Sequence, residues 1–211
     1  MIEYPKIEGP FKRGNNGKVV RGEWRTAEFE YLQDAEWLFT EKVDGTNIRI
    51  GWDGDKVEIG GRTANAQLHI DLVKVLHATF TDRSEAMREA FGATAVTLFG
   101  EGYGAGIQKG GIYRPDKSFI LFDVLIGDYW LKYTDTVGIA DKLGIEVVPL
   151  RGVFSLNAAI EVLSDGPLPS YVAQEAADAE GLVGVPTVPL SDRRGNRIII
   201  KLKTKDLWNE A

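Results

Sequence analysis

The sequence predicts an α+β fold of mainly antiparallel sheets with packed helices, and two observations lead there. Runs rich in β-branched and aromatic residues recur close to Gly, Asp or Asn, as strands bounded by turns do. They follow one another in hairpin-like succession and are interrupted by helical stretches rather than alternating with them, which argues against a parallel α/β sheet.

In chain order, strands are expected at Trp37 to Glu41 and Asn47 to Trp52. Trp52-Asp53-Gly54-Asp55 is a strong hairpin turn, because Asp-Gly favours positive φ, and a strand follows at Lys56 to Ile59. Ala66 to Phe80 places Leu68, Leu72, Val75, Leu76 and Phe80 on one helical face. A second helix is expected at Asp82 to Phe91, with Asp82 as cap and Glu85 three residues later. Strands Ala95 to Glu101 and Ser118 to Ile126 come next. A helix from Asp135 to Leu143 ends at Gly144, a C′ residue, before a short strand at Glu146 to Val148. Ser155 caps a helix that runs to Leu163, and a shorter one is expected at Tyr171 to Ala179. Strands Gly181 to Val185 and Arg197 to Leu202 close the chain, with Asp192 to Asn196 a turn before the last. His69 and His77 fall on the first helix as structural histidines, and the five tryptophans are expected in the core or its rim.

The 211 residues suit one large domain or two small ones, and we expect a single domain over 1–211. An apolar fraction of 44% and a charged fraction of 27% are ordinary for a globular protein. No stretch reaches the ~18–20 apolar residues of a membrane helix, and the start is not a secretory signal. The absence of cysteine excludes disulfides, thiolate metal sites and cysteine nucleophiles, and two histidines exclude a multi-histidine centre. A reducing cytoplasm is the expected address. A formal net charge of −6 argues against a chain that coats nucleic acid indiscriminately, but not against cations focused on one face. Cations cluster at Lys12 to Arg25 and at Arg193 to Lys205. These are the first places to look for a phosphate-binding surface, although any single one is equally well read as a solvated charge.

Six motifs fall in one order: Glu41-Lys42-Val43-Asp44-Gly45-Thr46-Asn47, Gly61-Arg62-Thr63, Phe99-Gly100-Glu101-Gly102, Phe119-Ile120-Leu121-Phe122-Asp123-Val124, Glu180-Gly181-Leu182-Val183 and Ile200-Lys201-Leu202-Lys203. A lysine in an Asp-Gly turn, two isolated glutamates and two alternate lysines are what covalent nucleotidyl transfer requires. An ammonium with a pKa near 10.4 is no nucleophile. Burial and nearby cations both disfavour its charged form and make the amine available. Lys42 follows the apolar strand Trp37-Leu38-Phe39-Thr40, which should place it at the floor of a pocket. Lys201 and Lys203 point to one face of their strand and would supply that cationic field if their strand neighbours Lys42. Taken alone, Lys42 would be read as a solvated lysine beside a turn. Glu101 is suited to ribose hydroxyls. Phe122 either stacks on a purine or is core. Gly102, Gly104 and Gly106 permit close ligand approach or make a bare loop. Glu180 before an apolar strand must be paired or metal-bound. Asp44 is suited to orienting Lys42 or a metal-bound water.

Read together, the motifs resemble the superfamily of covalent nucleotidyltransferases that includes ATP-dependent DNA ligases, RNA ligases and mRNA-capping guanylyltransferases. The resemblance covers about three quarters of the chain, from Lys42 to Lys203. It makes Lys42 the nucleophile, Arg62 a substrate or nucleotide contact, Phe122 the aromatic flanking the purine, Glu180 the metal-associated glutamate, and Lys201 and Lys203 phosphate ligands. Thr46-Asn47 after Asp-Gly, Arg62-Thr63 and the run Gly100 to Gly110 are similar to RNA ligases of the phage and RNA-editing type, as is the Tyr4-Pro5-Lys6-Ile7 start.

The resemblance implies an ATP-grasp-like nucleotidyltransferase domain, here without an OB domain. It implies ATP with Mg²⁺ (or Mn²⁺), and attack by Lys42 on the α-phosphorus to give lysyl-AMP. AMP then passes to a 5′-phosphate and is displaced by a 3′-hydroxyl. Catalytic roles fall to Lys42, Asp44, Lys201 and Lys203, and nucleotide contacts to Asn47, Arg62, Glu101 and Phe122 as well. The expected partners are RNA ends or nicked duplex, of RNA or RNA with DNA, and the expected state is a monomer with no membrane association, cytoplasmic or phage-encoded in a host cytoplasm. A DNA ligase, a GTP-dependent guanylyltransferase, or a binding module without turnover are the alternatives. With eight residues after Lys203, the chain is expected to be a minimal ligase or one domain of something larger.

Overall fold

The structure is a computed structural model that describes residues 1–63 and 65–208, and its chain divides into two units. The first takes residues 1–5, 44–148 and 173–175; the second takes 6–43, 149–172 and the chain from 176 onward. The strands are β1 (Phe11–Arg13), β2 (Val19–Trp24), β3 (Glu36–Lys42), β4 (Thr46–Trp52), β5 (Val57–Gly61), β6 (Val96–Tyr103), β7 (Ser118–Ile126), β8 (Tyr129–Trp130), β9 (Glu146–Val147), β10 (Leu150–Ser155), β11 (Gly181–Pro186) and β12 (Ile200–Lys203). The helices are α1 (Ala27–Tyr31), α2 (Ile70–Leu76), α3 (Ser84–Phe91), α4 (Tyr133–Leu143), α5 (Leu156–Asp165) and α6 (Thr204–Leu207).

The first unit is built on a sheet of order β5-β4-β6-β7-β8, antiparallel throughout, which β9 joins in parallel alongside β7. Period-two alternation sends Ile48, Ile50 and Trp52 of β4 and Leu98 of β6 to one face. There they pack with Leu72, Leu76, Phe80, Met87, Ala140 and Leu143 from the helical side. Each large side chain so buried contributes roughly 1.5–3 kcal/mol. The other face carries Asn47, Arg49, Glu101 and Asp123. Tyr4 lies on it, its ring 5.0 Å from those of Phe99 and Phe122 and its hydroxyl donating to Asp123 at 2.8 Å.

The second unit holds the sheet β10-β3-β11-β12, also antiparallel. Trp37, Phe39, Leu182, Ile200 and Leu202 form its buried side with Phe29, Leu156, Ala159, Leu163 and Leu207. β1 and β2 make a hairpin whose Phe11 and Trp24 rings meet at 4.9 Å. The chain at Glu8 borders β12, accepting a bond from Lys201 N–H at 3.0 Å.

The α+β, antiparallel expectation holds, and no barrel of the OB type is present among the described residues. Gly144 ends α4 in the left-handed region at φ 64°, and the Ser155 hydroxyl accepts from Ala158 N–H at 3.1 Å. Asp53 and Gly54 close the β4–β5 hairpin. His69 caps α2 and His77 meets Thr81, as structural histidines do.

Four expectations need correction. The helix expected at 66–80 begins at Ile70 and gives way to a π-helical turn at His77–Thr81. Asp82 is not a cap, because its N–H closes that turn on His77 O while Arg83 precedes α3. The strand expected at 197–202 begins only at Ile200, where pairing with β11 starts. No helix forms at 171–179. Its donors are committed elsewhere, Tyr171 N–H to Glu41, Gln174 N–H to Tyr113 O and Ala179 N–H to Leu168 O, so tertiary pairing overrides helix propensity. The strands β1, β2, β8 and β10 and the short helices α1 and α6 were not foreseen. No helix among the described residues is long and apolar enough to cross a membrane.

A Cβ at Gly102 would lie 2.5 Å from Leu72 Cδ2 and 3.0 Å from Ile48 Cγ1. Gly102→Ala should therefore destabilise by about 1–3 kcal/mol through overpacking, and Leu72→Ala by about 2–5 kcal/mol through cavity formation. In urea unfolding the double variant should lose less than the sum of the two. Strict additivity would show that this contact does not limit the packing.

Candidate active site

The side chains of β3 alternate, so Trp37, Phe39 and Glu41 are buried and Lys42 points the other way. Lys42 lies opposite Gly181 of β11, which lies opposite Lys203 of β12. The three residues make one row across the sheet. Lys42 Nζ donates to Glu180 Oε2 at 2.6 Å, and Lys203 Nζ lies 2.5 Å from Glu180 Oε1. Their side chains are 20%, 23% and, for Glu180, 13% exposed, so the pairing is largely withdrawn from water. The strand of Lys201 and Lys203 is not the direct neighbour of β3; β11 intervenes. Gly181 makes that separation workable. A Cβ there would sit 1.9 Å from Leu202 O, at φ 152°. Lys201 occupies the next row, opposite Val183.

Burial pushes the Glu180 carboxyl up, but Lys42 and then Lys203 outweigh it and hold the group below the usual glutamate range. Two lysines around one carboxylate leave the cluster net positive, and Lys201 adds to it. Such a cluster attracts phosphate.

Behind the lysine lies a network that sequence reasoning missed. Glu41, fully buried, pairs with Arg151 Nη1 at 3.1 Å. It also accepts from Ser170 Oγ, and from Tyr171 N–H at 2.8 Å. Arg151 in turn donates to Pro169 O at 2.8 Å and lies 3.7 Å from the Tyr171 ring centroid. The signal was present, since Glu41 shares the face of Trp37 and Phe39, where a carboxylate demands a partner. Which cation would answer, 110 positions away, was not legible.

In the first unit Asn47 and Glu101 are register partners on the face opposite the helices. Asn47 Oδ1 is buried without a hydrogen-bond partner, an acceptor for which a ligand donor is the natural complement. Phe99 pairs with Asp123 and Gly100 with Leu121, so Phe122 is the extra residue of a β-bulge. It is half-buried and meets Tyr4 edge-on, between the two readings given to it above. Arg62 is exposed just past the end of β5. Asp44 N–H donates to Tyr113 Oη at 3.2 Å. Gly104 answers to a turn rather than a ligand, because at φ 118° its Cβ would fall 1.9 Å from Asp116 O. Arg193 and Arg194 lie in an exposed turn organised by Asp192.

The family model for RNA ligase matches residues 35–203, a span that runs from just before β3 to the last residue of β12. This chain belongs to the RNA ligase family. The fold agrees with solved members. An alanine variant of Naegleria gruberi RNA ligase with ATP and Mn superposes with a TM-score of 0.65 at 17% identity, over 96% of this chain and 64% of that one. A second such variant with ATP and Mn gives 0.67 at 16% identity, over 96% and 58%. The same ligase with pyrophosphate gives 0.65 at 17%, over 96% and 62%. This family member thus spans about 60% of the length of those chains.

Two outcomes follow. Glu41→Ala would leave Arg151 buried and unpaired, so a loss of about 3–5 kcal/mol is expected in chemical denaturation; a loss under 1 kcal/mol would show that Arg151 finds another partner. The lowered pKa of Glu180 means that its ion pairs stabilise the fold above the ordinary glutamate range and are lost as pH falls through the depressed value. Glu180→Gln should therefore melt below the wild type at neutral pH, with the gap closing only as the pH is taken below the ordinary glutamate range. A gap that persists in acid would sever the stability difference from this titration.

Proposed function

We propose that this chain is an ATP-dependent RNA ligase that works through a covalent lysyl-AMP on Lys42. The observation that carries the reading is the row Lys42–Gly181–Lys203 with Glu180 bonded to both lysines. A nucleophilic amine needs such a setting, largely withdrawn from water and with a second cation beside it to meet the phosphates.

In the first step Lys42 gives up a proton to solvent and loses its bond to Glu180, and Nζ attacks the α-phosphorus. The N–P bond forms as the bond from phosphorus to the bridging oxygen breaks, and pyrophosphate leaves. Lys201 and Lys203 neutralise charge on the phosphate oxygens as it develops, so most of the acceleration is positioning and preorganised charge. The AMP then moves to the 5′-phosphate of an RNA end, and a 3′-hydroxyl displaces it to form the phosphodiester. Among the first unit's residues, Glu101 and Asn47 are assigned the ribose, Phe122 the base, Arg62 a phosphate of nucleotide or substrate, and Asp44 the orientation of the nucleophile.

Glu180 also suits a divalent cation. Its two oxygens already hold positive groups at 2.6 and 2.5 Å, so cationic charge is stabilised there. No cluster of three or more acidic or histidine side chains gathers among the described residues. That fits Mg²⁺ or Mn²⁺ bound through one carboxylate with water and phosphate as the remaining ligands. Such an ion would supply charge neutralisation at the phosphates.

Intact mass after incubation with ATP and Mg²⁺ tests the reading, with a GTP control and a pyrophosphate-treated sample that clears AMP loaded during expression. One AMP should appear on the wild type and none on Lys42→Ala. Lys201→Ala and Lys203→Ala should lower the yield at least tenfold, and Arg193→Ala should leave it within a factor of two. Labelling of Lys42→Ala, or equal losses at Arg193, would overturn the assignment.

A further inference from the structure

Two arginines, Arg13 and Arg25, stand beside Lys201 and Lys203 without a role in forming lysyl-AMP. A pocket of about 80 Å³ opens at the edge of β12, lined by Arg13, Arg25, Lys201, Lys203, Glu8 and Asp206 over an apolar floor. Four cations against two carboxylates make it positive in a chain whose net charge is −6. Both arginines are already oriented. Arg13 bonds Asp206 at 2.5 Å and Gly17 O at 2.8 Å, and Arg25 bonds Glu8 at 3.1 Å. The field is felt at Glu8, where burial raises the carboxyl but Lys6, Arg25 and Lys201 outweigh it. The arginine side chains are 46% and 35% exposed, and half-exposed ion pairs of this kind are weak enough to be shared with an incoming anion. An arginine fork has five donors, so a carboxylate on one edge leaves the other for a phosphate.

The cations do not stop at the pocket. Lys12, Lys18 and Arg21 lie exposed along the β1–β2 hairpin, and among the described residues only Lys12 of the three has an acidic neighbour, Glu23 at 4.0 Å. A small anion held in the pocket would leave those side chains unused; a polymer of phosphates would not.

We propose that the β1–β2 hairpin and this pocket bind the phosphodiester backbone of the RNA strand, with Arg13 and Arg25 each taking one phosphate. The proposal rests on the ligase reading and extends it to Arg13, Arg25 and the hairpin cations, which hold the polynucleotide and take no part in forming lysyl-AMP, while Lys201 and Lys203 keep the role given to them there.

The test uses the full chain, with Arg13→Gln/Arg25→Gln and, as a variant that touches no fold contact, Lys18→Gln/Arg21→Gln. Binding of a 5′-phosphorylated single-stranded RNA is followed by fluorescence anisotropy across a salt series, beside lysyl-AMP yield by intact mass. The pocket variant should keep the wild-type lysyl-AMP yield and bind RNA roughly tenfold more weakly at about 0.1 M salt, with a log–log salt slope shallower by about 1.4 for two lost single-strand contacts. The hairpin variant should weaken binding in the same direction. Unchanged affinity and slope in both variants would overturn the proposal. So would a change confined to inhibition by inorganic pyrophosphate, which would give the pocket to a small anion. Absence of lysyl-AMP in the wild type would sink the ligase reading alone, since RNA affinity is read independently of it.

Discussion

Much of the second unit is organised around the sharing of one carboxylate by two lysines. Partly buried ammonium groups repel one another by several kcal/mol at close range and effective dielectric constants near 20, and each resists leaving water. Glu180 offsets both terms at once, one oxygen to each lysine. That geometry dictates what surrounds it. β11 must lie between β3 and β12, the residue between the lysines must lack a side chain, and the acid must stand just before the strand. Gly181 and Glu180 meet those conditions in adjacent positions.

Alternation then carries the arrangement into the core. The same strand that presents Lys42 on one face buries Trp37, Phe39 and Glu41 on the other. A slip of one residue would exchange those sets, driving an ammonium into the apolar layer. The buried Glu41–Arg151 pair strengthens this constraint, because Arg151 on β10 and the segment at Ser170 and Tyr171 accept only one register of β3. The first unit obeys the same logic on its own sheet. Its helices cover one face, while Asn47 and Glu101 remain on the other, and a bulge places Phe122 where strict alternation would not.

Net charge was a poor guide to where positive charge concentrates. The chain is acidic as a whole, yet its cations gather at β12, at the hairpin before it and around one glutamate. Local focusing of this kind governs attraction to an anionic ligand far more than the total does.

Six motifs in order, with residue types matched to one chemistry, were enough to name the family and most of its candidate residues from the sequence. The long strands were equally plain, because β-branched runs between turn residues are a local signal; Ser118 to Ile126 agrees at both ends. What failed was local structure subject to distant demands. The helix expected at 171–179 was undone chiefly by Glu41 and Tyr113, which claim two of its backbone donors from far along the chain, while nearby Leu168 takes a third. Arg151 was invisible as the partner of Glu41 for the same reason. The sequence by itself determined which side chains exist and, outside the bulge at Phe122, which of them share a strand face, since alternation is a property of the local backbone. Only the tertiary structure decided that β11 separates the two lysines and that Glu180 binds both, because strand order depends on packing between segments more than a hundred residues apart.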